Sequence, residues 1–244
     1  MKKFKELLHD IFRITGREFM PYTYENFYSL RRIKIIKKEN INLLLDVGAH
    51  NGLYGKALRK DGYGGRIVSF EPLEKPYHEL EKQVKSDPLW ECENIALGDA
   101  VGEVAINVSG HLTSSSILSI TDAHIDAYPS SETIDTEIIK VSTLDTIRER
   151  YVRDSDKIFM KVDVQGYEKH VLNGASQTSK DIRILELELS LTEMYESGPT
   201  MIEMLDVMKS MGFVLVAINP VFSDPVSGYL LQADGIFINS NLEI

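Results

Sequence analysis

The segment from Asp46 to Gly52 combines an acid with two glycines at a spacing that suits ligand binding. Asp46 follows a short apolar run, and Gly48 and Gly52 complete the pattern D-x-G-x-x-x-G. Glycine lets the backbone turn tightly and approach a ligand where a Cβ atom would intrude. A helix that begins after Gly52 presents free backbone N–H groups to an anionic or polar ligand end. The spacing differs from the G-x-G-x-x-G pattern of dinucleotide-binding proteins.

A second acid ends the next predicted strand. Glu71 lies about 20 residues beyond the glycines, a distance typical of the acid that binds ribose hydroxyls in nucleotide-binding folds. Pro72 follows it and stops the strand. Asp46 and Glu71 together therefore predict an adenosine-containing ligand. The alternative interpretation is a βαβ unit whose acids only cap helices.

The third predicted strand and its turn, Trp90 to Asp99, carry residues suited to a flat ring. Ligands of such sheets lie beyond the carboxyl ends of the strands. Ala96 and Leu97 would supply apolar surface for the face of the ring, and the carboxylate of Asp99 would accept from an exocyclic amine. The alternative is a plain strand and turn in which Asp99 serves the turn geometry.

Asp163 ends another predicted core strand, on the same side as Lys161 because side chains alternate along a strand. At this position an acid faces the reactive end of a bound ligand. In the alternative interpretation, Lys161 pairs with a carboxylate and no chemistry is involved. On the following strand, Glu186 and Glu188 share one face and need partners if they are buried. Lys161 is the candidate partner.

The elements that position these residues read as an α/β domain with a doubly wound, mostly parallel sheet and helices on both faces. Two further strands, near Val101 and Glu137, form a possible inserted pair, and the region between them reads as a long loop. The last two strands form an antiparallel hairpin because their connection is too short for a helix. Seven strands build the main sheet, and they begin near Leu43, Arg66, Trp90, Lys157, Ile182, Phe213 and Tyr229.

Residues 1–40 read as an N-terminal helical extension, and residues 41–244 form the α/β domain. Apolar residues recur at nearly helical spacing from Phe4 to Ile14 and again from Tyr24 to Lys38. The preferred interpretation is a pair of amphipathic helices that pack on the sheet. A lid over the ligand, a homodimer contact or a weak membrane-surface contact are the alternatives.

Composition narrows the class of protein. The chain has 244 residues, 43% of them hydrophobic, with a net charge of −10 and a single cysteine, Cys92. An acidic chain is a poor candidate for broad nucleic-acid binding, and one cysteine excludes a disulfide framework. No stretch is apolar enough for a membrane span, and the amino end lacks the apolar core of a signal peptide. We therefore expect a cytoplasmic protein without stable membrane insertion.

In this order, the motifs resemble those of the FkbM family of S-adenosylmethionine-dependent methyltransferases. The resemblance covers roughly residues 42–239 and lies in the ordered set rather than in any single motif. His50 departs from the broader methyltransferase pattern, where many members have glycine, but FkbM-like sequences often carry Asn or His there. The matching segments are Asp46–Gly52, Phe70–Pro72, Ala96–Asp99, Ser114–Ser116, Thr143–Asp145 and Lys161–Glu168.

The resemblance implies a cofactor, S-adenosylmethionine, and roles for particular residues. Leu97 and Asp99 would lie against adenine, while Ser115 and Asp163 belong to the matching motifs and are further cofactor-site candidates. Glu71, with Pro72 beside it, would bind the ribose hydroxyls. The methionine end would be held by Asp46, Gly48, His50, Asn51 and Gly52.

The resemblance further implies transfer of a methyl group to a hydroxyl oxygen of a small molecule or glycan, such as a sugar, a surface polysaccharide or a natural product. A hydroxyl is a poor nucleophile at neutral pH, so a general base or a metal must help remove its proton. Asp163 is the first candidate base and His111 the second. Glu188 with Asp163 is an alternative cation site, but no explicit metal-ligand motif is present, and we predict no metal.

Two other classes of protein compete with this prediction. One is a different enzyme on a Rossmann-like fold, against which the missing G-x-G-x-x-G turn counts. The other is a non-catalytic protein that binds a nucleoside cofactor, because a fold alone does not establish function.

Overall fold

The computed structural model describes residues 12, 14–16 and 20–242. The first predicted amphipathic helix, Phe4 to Ile14, lies largely outside the described residues. Seven α-helices occur in the described part of the chain: α1 Tyr28–Lys38, α2 Leu53–Lys60, α3 Glu74–Val84, α4 Asp122–Ala127, α5 Leu144–Tyr151, α6 Glu168–Asn173 and α7 Met201–Ser210.

The main sheet has seven strands in the order β3-β2-β1-β7-β8-β10-β9. Neighbouring strands from β3 to β8 are parallel, and β10 runs antiparallel to both β8 and β9. The predicted doubly wound sheet with its antiparallel hairpin is therefore confirmed. Its strands are β1 Leu43–Val47, β2 Arg66–Phe70, β3 Trp90–Glu93, β7 Ile158–Val162, β8 Ile182–Ser190, β9 Phe213–Ser223 and β10 Leu230–Asn239.

Strand β1 is apolar on consecutive positions because helices cover both faces of the sheet. Leu45 packs into a core with residues of α5, α6 and α7, whereas Leu44 faces a second core with residues of α1, α2 and α3. Both leucines are fully buried, and burial of one such side chain contributes about 2 kcal/mol to stability. Strand β1 lies between β2 and β7. The glycine turn at its carboxyl end therefore lies next to the carboxyl ends of those two strands.

A second sheet has three strands in the order β4-β6-β5, with β4 Ala96–Leu97, β5 Gly102–Ser109 and β6 Thr133–Ser142. The inserted pair is therefore present, and the segment predicted as a third strand and a turn, Trp90 to Asp99, contains β3 and, in the second sheet, the short strand β4. The chain leaves the main sheet after Glu93, where Asn94 donates from Nδ2 to the backbone oxygens of Glu71 and Pro72 at 2.9 and 2.8 Å. Ala96 and Leu97 then pair with β6.

One element differs from the sequence prediction in a way that affects the site. Helix α4 lies in the region predicted as a loop, and its six residues are too few to show a helical period. Helix α1 packs Ile33 and Ile36 into the core, as the preferred interpretation of this segment predicts. No helix in the described ranges has the length and apolar character needed to cross a membrane.

Candidate functional site

A cavity of about 420 Å³ opens at the carboxyl ends of the parallel strands, the edge where open α/β sheets bind their ligands. The ends of β1, β2, β7 and β8 supply one side of it. The inserted segment supplies the other side, including residues 111–117 and part of α4. Residues that line the strand side include Gly48, His50, Glu71, Pro72, Asp163 and Glu188.

Gly48 brings the turn after β1 into direct contact with the segment after β7. Its φ is +79°, and a Cβ atom placed on it would lie 1.9 Å from the backbone oxygen of Asp163. Only glycine fits such an approach. His50 follows with φ +48°, and its backbone N–H points to the carboxylate of Glu71. The left-handed turn therefore connects Gly48 to Asp163 and His50 to Glu71, all of which the sequence singles out.

Glu71 is buried, and each of its carboxylate oxygens accepts a backbone hydrogen bond. The N–H of His50 donates to Oε2 at 2.8 Å, and the N–H of Leu73 donates to Oε1 at 2.9 Å. Burial raises the pKa of Glu71 to about 7, although these two hydrogen bonds oppose the shift. Each carboxylate oxygen can accept more than one hydrogen bond, so the group can still accept from hydroxyls in the cavity.

The wall beyond Glu71 is apolar, and Leu97 belongs to it together with Leu73, Ile95, Ile106 and Ile139. This wall suits the face of a flat ring, as predicted for Leu97.

The structure does not bring Asp99 to this wall. Its carboxylate instead lies 2.7 Å from Nδ1 of His170, whose ring stacks on Tyr167 at 4.1 Å. Tyr167 lines the cavity, and Asp99 lies behind it.

Asp46 lies beneath the cavity rather than in its wall. The residue is fully buried, Ser69 donates from Oγ to its Oδ2 at 3.2 Å, and Oδ1 has no hydrogen-bond partner. Burial raises the pKa of Asp46, while the charge of Lys161 opposes the shift. Asp46 therefore sits in a position to support the glycine turn from below.

Three other predicted cofactor residues differ in how they relate to the cavity. Asn51 does not line it, and burial lowers the pKa of the neighbouring His50. Gly52 is also outside the lining and packs against Leu80 and Trp90. Ser115 lines the cavity and accepts a hydrogen bond from the backbone of Ser109 at 3.0 Å, so it also holds the inserted loop in place.

Asp163 is the centre of a hydrogen-bonded network in the cavity wall. Lys161 donates from Nζ to Oδ2 at 3.0 Å, and Gln165 donates from Nε2 to Oδ1 at 2.7 Å. The same amide lies 2.9 Å from Oε2 of Glu188, to which Gln232 also donates at 2.8 Å. Burial and the neighbouring charge of Asp163 raise the pKa of Glu188 well above its usual range.

The prediction that Lys161 partners Glu186 or Glu188 is wrong. Burial alone would lower the pKa of Lys161, but the carboxylates of Asp163 and Asp46 raise it overall. Glu186 instead pairs with Arg32 of α1 at 3.4 Å and accepts from the hydroxyl of Tyr54 at 2.8 Å. The partner of Glu186 comes from a helix more than a hundred residues away, which strand periodicity does not reveal.

Aromatic and imidazole rings line another part of the cavity. His111 is exposed, contacts Thr113 through Nδ1 at 2.7 Å and packs edge-on against Tyr128 at 5.0 Å. His124 and Phe222 complete this part. The sequence singles out His111 but not His124, Tyr128 or Phe222, because they come from distant segments without a shared motif. Among the described residues, no group of three or more His, Cys, Asp or Glu side chains is arranged to hold a metal ion.

Comparison with solved structures finds distant similarities. The methyltransferase FkbM of Methylobacillus flagellatus KT is 14% identical, with a TM-score of 0.49 over 80% of this chain and 43% of that protein. This chain therefore spans less than half the length of that relative. A putative tRNA methyltransferase of Streptococcus pneumoniae, solved with S-adenosyl-L-methionine, is 12% identical, with a TM-score of 0.46 over 88% of this chain and 74% of that one.

A comparison with curated proteins finds no match. The model of the methyltransferase FkbM domain matches residues 46–215. This range covers more than half of the chain and runs from Asp46 of the glycine turn to the first residues of β9. It includes both sides of the cavity. The chain therefore belongs to the FkbM family of methyltransferases.

Proposed function

We propose that this protein transfers a methyl group from S-adenosylmethionine to a hydroxyl oxygen. The observation that carries the proposal is the contact of Gly48 with the backbone of Asp163. It joins the turn suited to the methionine end of the cofactor and the acid suited to the acceptor hydroxyl in one cavity. An enzyme that must align two reactants needs this proximity.

The residues in the wall fit the parts of the cofactor. The turn at Gly48 and His50 would hold its methionine end, and the carboxylate of Glu71 would accept from the ribose hydroxyls. The apolar wall with Leu97 would lie against adenine, with Tyr167 beside it. When bound, the cofactor supplies an activated methyl group on its sulfonium, so the protein has to align the acceptor and exclude water.

Asp163 is the group that we assign to the acceptor hydroxyl. Lys161 donates to its Oδ2, and Gln165 donates to Oδ1 and orients the carboxyl group. An ionised carboxylate at this point can accept a hydrogen bond from the hydroxyl and draw its proton away as the new bond forms. His111, on the opposite side of the cavity, is the second candidate. A divalent cation between Asp163 and Glu188 is disfavoured because the amide of Gln165 already bridges them.

The proposal is tested by incubating the protein with S-adenosylmethionine labelled in the methyl group and a panel of uncharged glycosides and phenols. The expected products are demethylated cofactor and a methyl ether, identified by mass spectrometry and NMR. Label recovered on a nitrogen or carbon atom would contradict the assignment to hydroxyl oxygen. Tight cofactor binding without turnover on the whole panel would favour a non-catalytic binding protein.

A further inference from the structure

The cavity extends past Asp163 to a second end, which none of the proposed cofactor contacts uses. We call it the aromatic end and define it by His124, Tyr128, Phe222, Gln232 and Glu188. Helix α4 supplies His124, Tyr128 directly follows that helix, and strands β9, β10 and β8 supply the others. These elements lie outside the glycine turn and the apolar wall, so the aromatic end is free for a second reactant.

His124 is the most unusual residue of the aromatic end. It is only 3% exposed, and its ring packs edge-on against Tyr195 at 5.2 Å. Burial lowers the pKa of His124, which favours the neutral ring, and Nδ1 has no hydrogen-bond partner. A neutral imidazole carries one proton, so Nδ1 can accept a hydrogen bond when Nε2 holds that proton. A buried acceptor without a partner is rare, and it points to a ligand that supplies the donor.

A ring contact followed by hydrogen bonds connects His124 to the residue that we assign to the reacting hydroxyl. The ring of His124 rests on Tyr195, whose hydroxyl donates to Oε1 of Gln165 at 2.6 Å. Gln165 in turn donates to Asp163 and Glu188. The aromatic end and Asp163 thus share one rigid network, which would hold an acceptor in a fixed orientation.

The charges around the cavity limit the class of acceptor. No lysine or arginine lines the cavity within the part of the chain that the structure describes, whereas Glu71, Asp163 and Glu188 all do. The nearest buried cation, Lys161, is already paired with Asp163. A carboxylate or phosphate on the acceptor would lose its hydration without gaining a lysine or arginine partner. Aromatic faces, by contrast, suit the apolar face of a ring.

We propose that the aromatic end is the acceptor subsite, that it takes an uncharged hydroxylated ring, and that Nδ1 of His124 accepts a hydrogen bond from one of its hydroxyls. The inference rests on the proposed function, since it places the acceptor opposite the cofactor. It adds a binding residue, His124. It also predicts that negatively charged acceptors, such as uronates, phosphorylated sugars and nucleic acids, bind poorly.

The test uses two matched probes, 4-nitrophenyl β-D-glucopyranoside and 4-nitrophenyl β-D-glucuronide, which differ only at C6, a hydroxymethyl group in the first and a carboxylate in the second. The full chain is first saturated with S-adenosylhomocysteine, and binding of that product is measured separately. Failure at this first step would contradict the proposed function rather than the subsite. The nitrogen resonances of the His124 ring are then followed by NMR as each probe is added.

We expect the glucoside to shift the Nδ1 resonance of His124 and the glucuronide to bind at least about tenfold more weakly. His124→Gln should weaken glucoside binding by about tenfold without changing affinity for the cofactor product. His78→Gln, at an exposed histidine of α3, is the matched control and should change neither. Equal or tighter binding of the glucuronide, binding without a shift of His124, or no binding of either probe would overturn the proposal. The wild-type NMR experiment decides the question even if the His124 variant does not fold.

Discussion

Glu71 combines burial with two backbone hydrogen bonds, and these act on its pKa in opposite directions. Burial is the larger effect and raises the pKa to about 7. The carboxyl group therefore changes charge within the range in which enzymes are assayed. Its ionised form is the one that accepts hydrogen bonds with both oxygens. Because the ionised form of Glu71 would accept from the ribose hydroxyls, the affinity for the cofactor should depend on pH.

The first prediction is that the protein binds S-adenosylhomocysteine about tenfold more weakly at pH 6 than at pH 8. A group with a pKa of about 7 must release its proton to accept both hydroxyls, and each pH unit below that value costs about a factor of ten. Calorimetric titration at both pH values measures the effect. Glu71→Gln should bind weakly and with little pH dependence. A pH-independent wild type would remove Glu71 from the ribose site.

The second prediction concerns Asp163. Asp163→Asn keeps the shape of the side chain but removes its capacity to take a proton, so turnover should fall by a factor on the order of a hundred or more. Affinity for S-adenosylhomocysteine should stay within about threefold, because the change lies at the acceptor side. Asp154→Asn, at an exposed acid, serves as the control in both assays. Unchanged turnover in Asp163→Asn would assign the proton to another group, with His111 next.

For single residues, the sequence predicts the position reliably where the residue directly follows a strand. The structure brings Gly48, Glu71 and Asp163 to one cavity because parallel strands end at the same edge. The sequence does not predict the position reliably where a side chain can point in more than one direction. Asp99 turns to His170, and Asp46 lies below the turn with no access to the cavity. His124 carries no motif, so only the fold reveals it.

The turn between β1 and α2 shows how an element positions the site. Gly48 and Gly228 both have a positive φ, +79° and +74°, but only Gly48 has a close neighbour at the place of a Cβ atom. The pair therefore separates the effect of backbone conformation from that of contact with the segment after β7.

The third prediction uses this pair. Gly228→Ala should lower the free energy of unfolding by about 1 kcal/mol, the cost of a left-handed alanine. Gly48→Ala should lower it by on the order of 3 kcal/mol, because the methyl group also displaces the backbone of Asp163. Denaturant titration measures both. Equal losses of stability in the two variants would contradict the close approach of the turn after β1 to the segment after β7.

The length of an element decides how well sequence predicts it. Strands β1, β2 and β8 are found within a residue or two because uninterrupted apolar or alternating patterns mark them. Strand β4 has two residues and helix α4 has six, which is too short for either periodicity to appear. Both elements line the cavity, β4 through Ala96 and Leu97 and α4 through His124, so its shape could not be predicted from the sequence.

Across the whole molecule, a buried charge pair ties the amino-terminal helix to the sheet. Arg32 of α1 lies 3.4 Å from Glu186 of β8, and both side chains are nearly inaccessible to solvent. The guanidinium of Arg32 also lies 4.6 Å from the ring centre of Tyr54, whose hydroxyl donates to the same glutamate. Helix α1 thereby belongs to the same packed unit as the site.

The fourth prediction is that Arg32→Ala lowers the free energy of unfolding by about 3–5 kcal/mol, because it leaves Glu186 buried without its cation. Lys37→Ala, at an exposed position of the same helix, should change stability by less than about 0.5 kcal/mol. Thermal and denaturant unfolding compare the two. A small effect of Arg32→Ala would mean that α1 does not hold the charge of Glu186.

The central claim is that the cavity at the end of the sheet binds S-adenosylmethionine. The most direct measurement is calorimetric titration of the folded protein with S-adenosylmethionine and, separately, with S-adenosylhomocysteine. We expect saturable binding of at least one of them, with a dissociation constant on the order of a micromolar, and a loss of at least about tenfold in Glu71→Ala. Absence of binding by both, with circular dichroism showing a folded protein, would contradict the account.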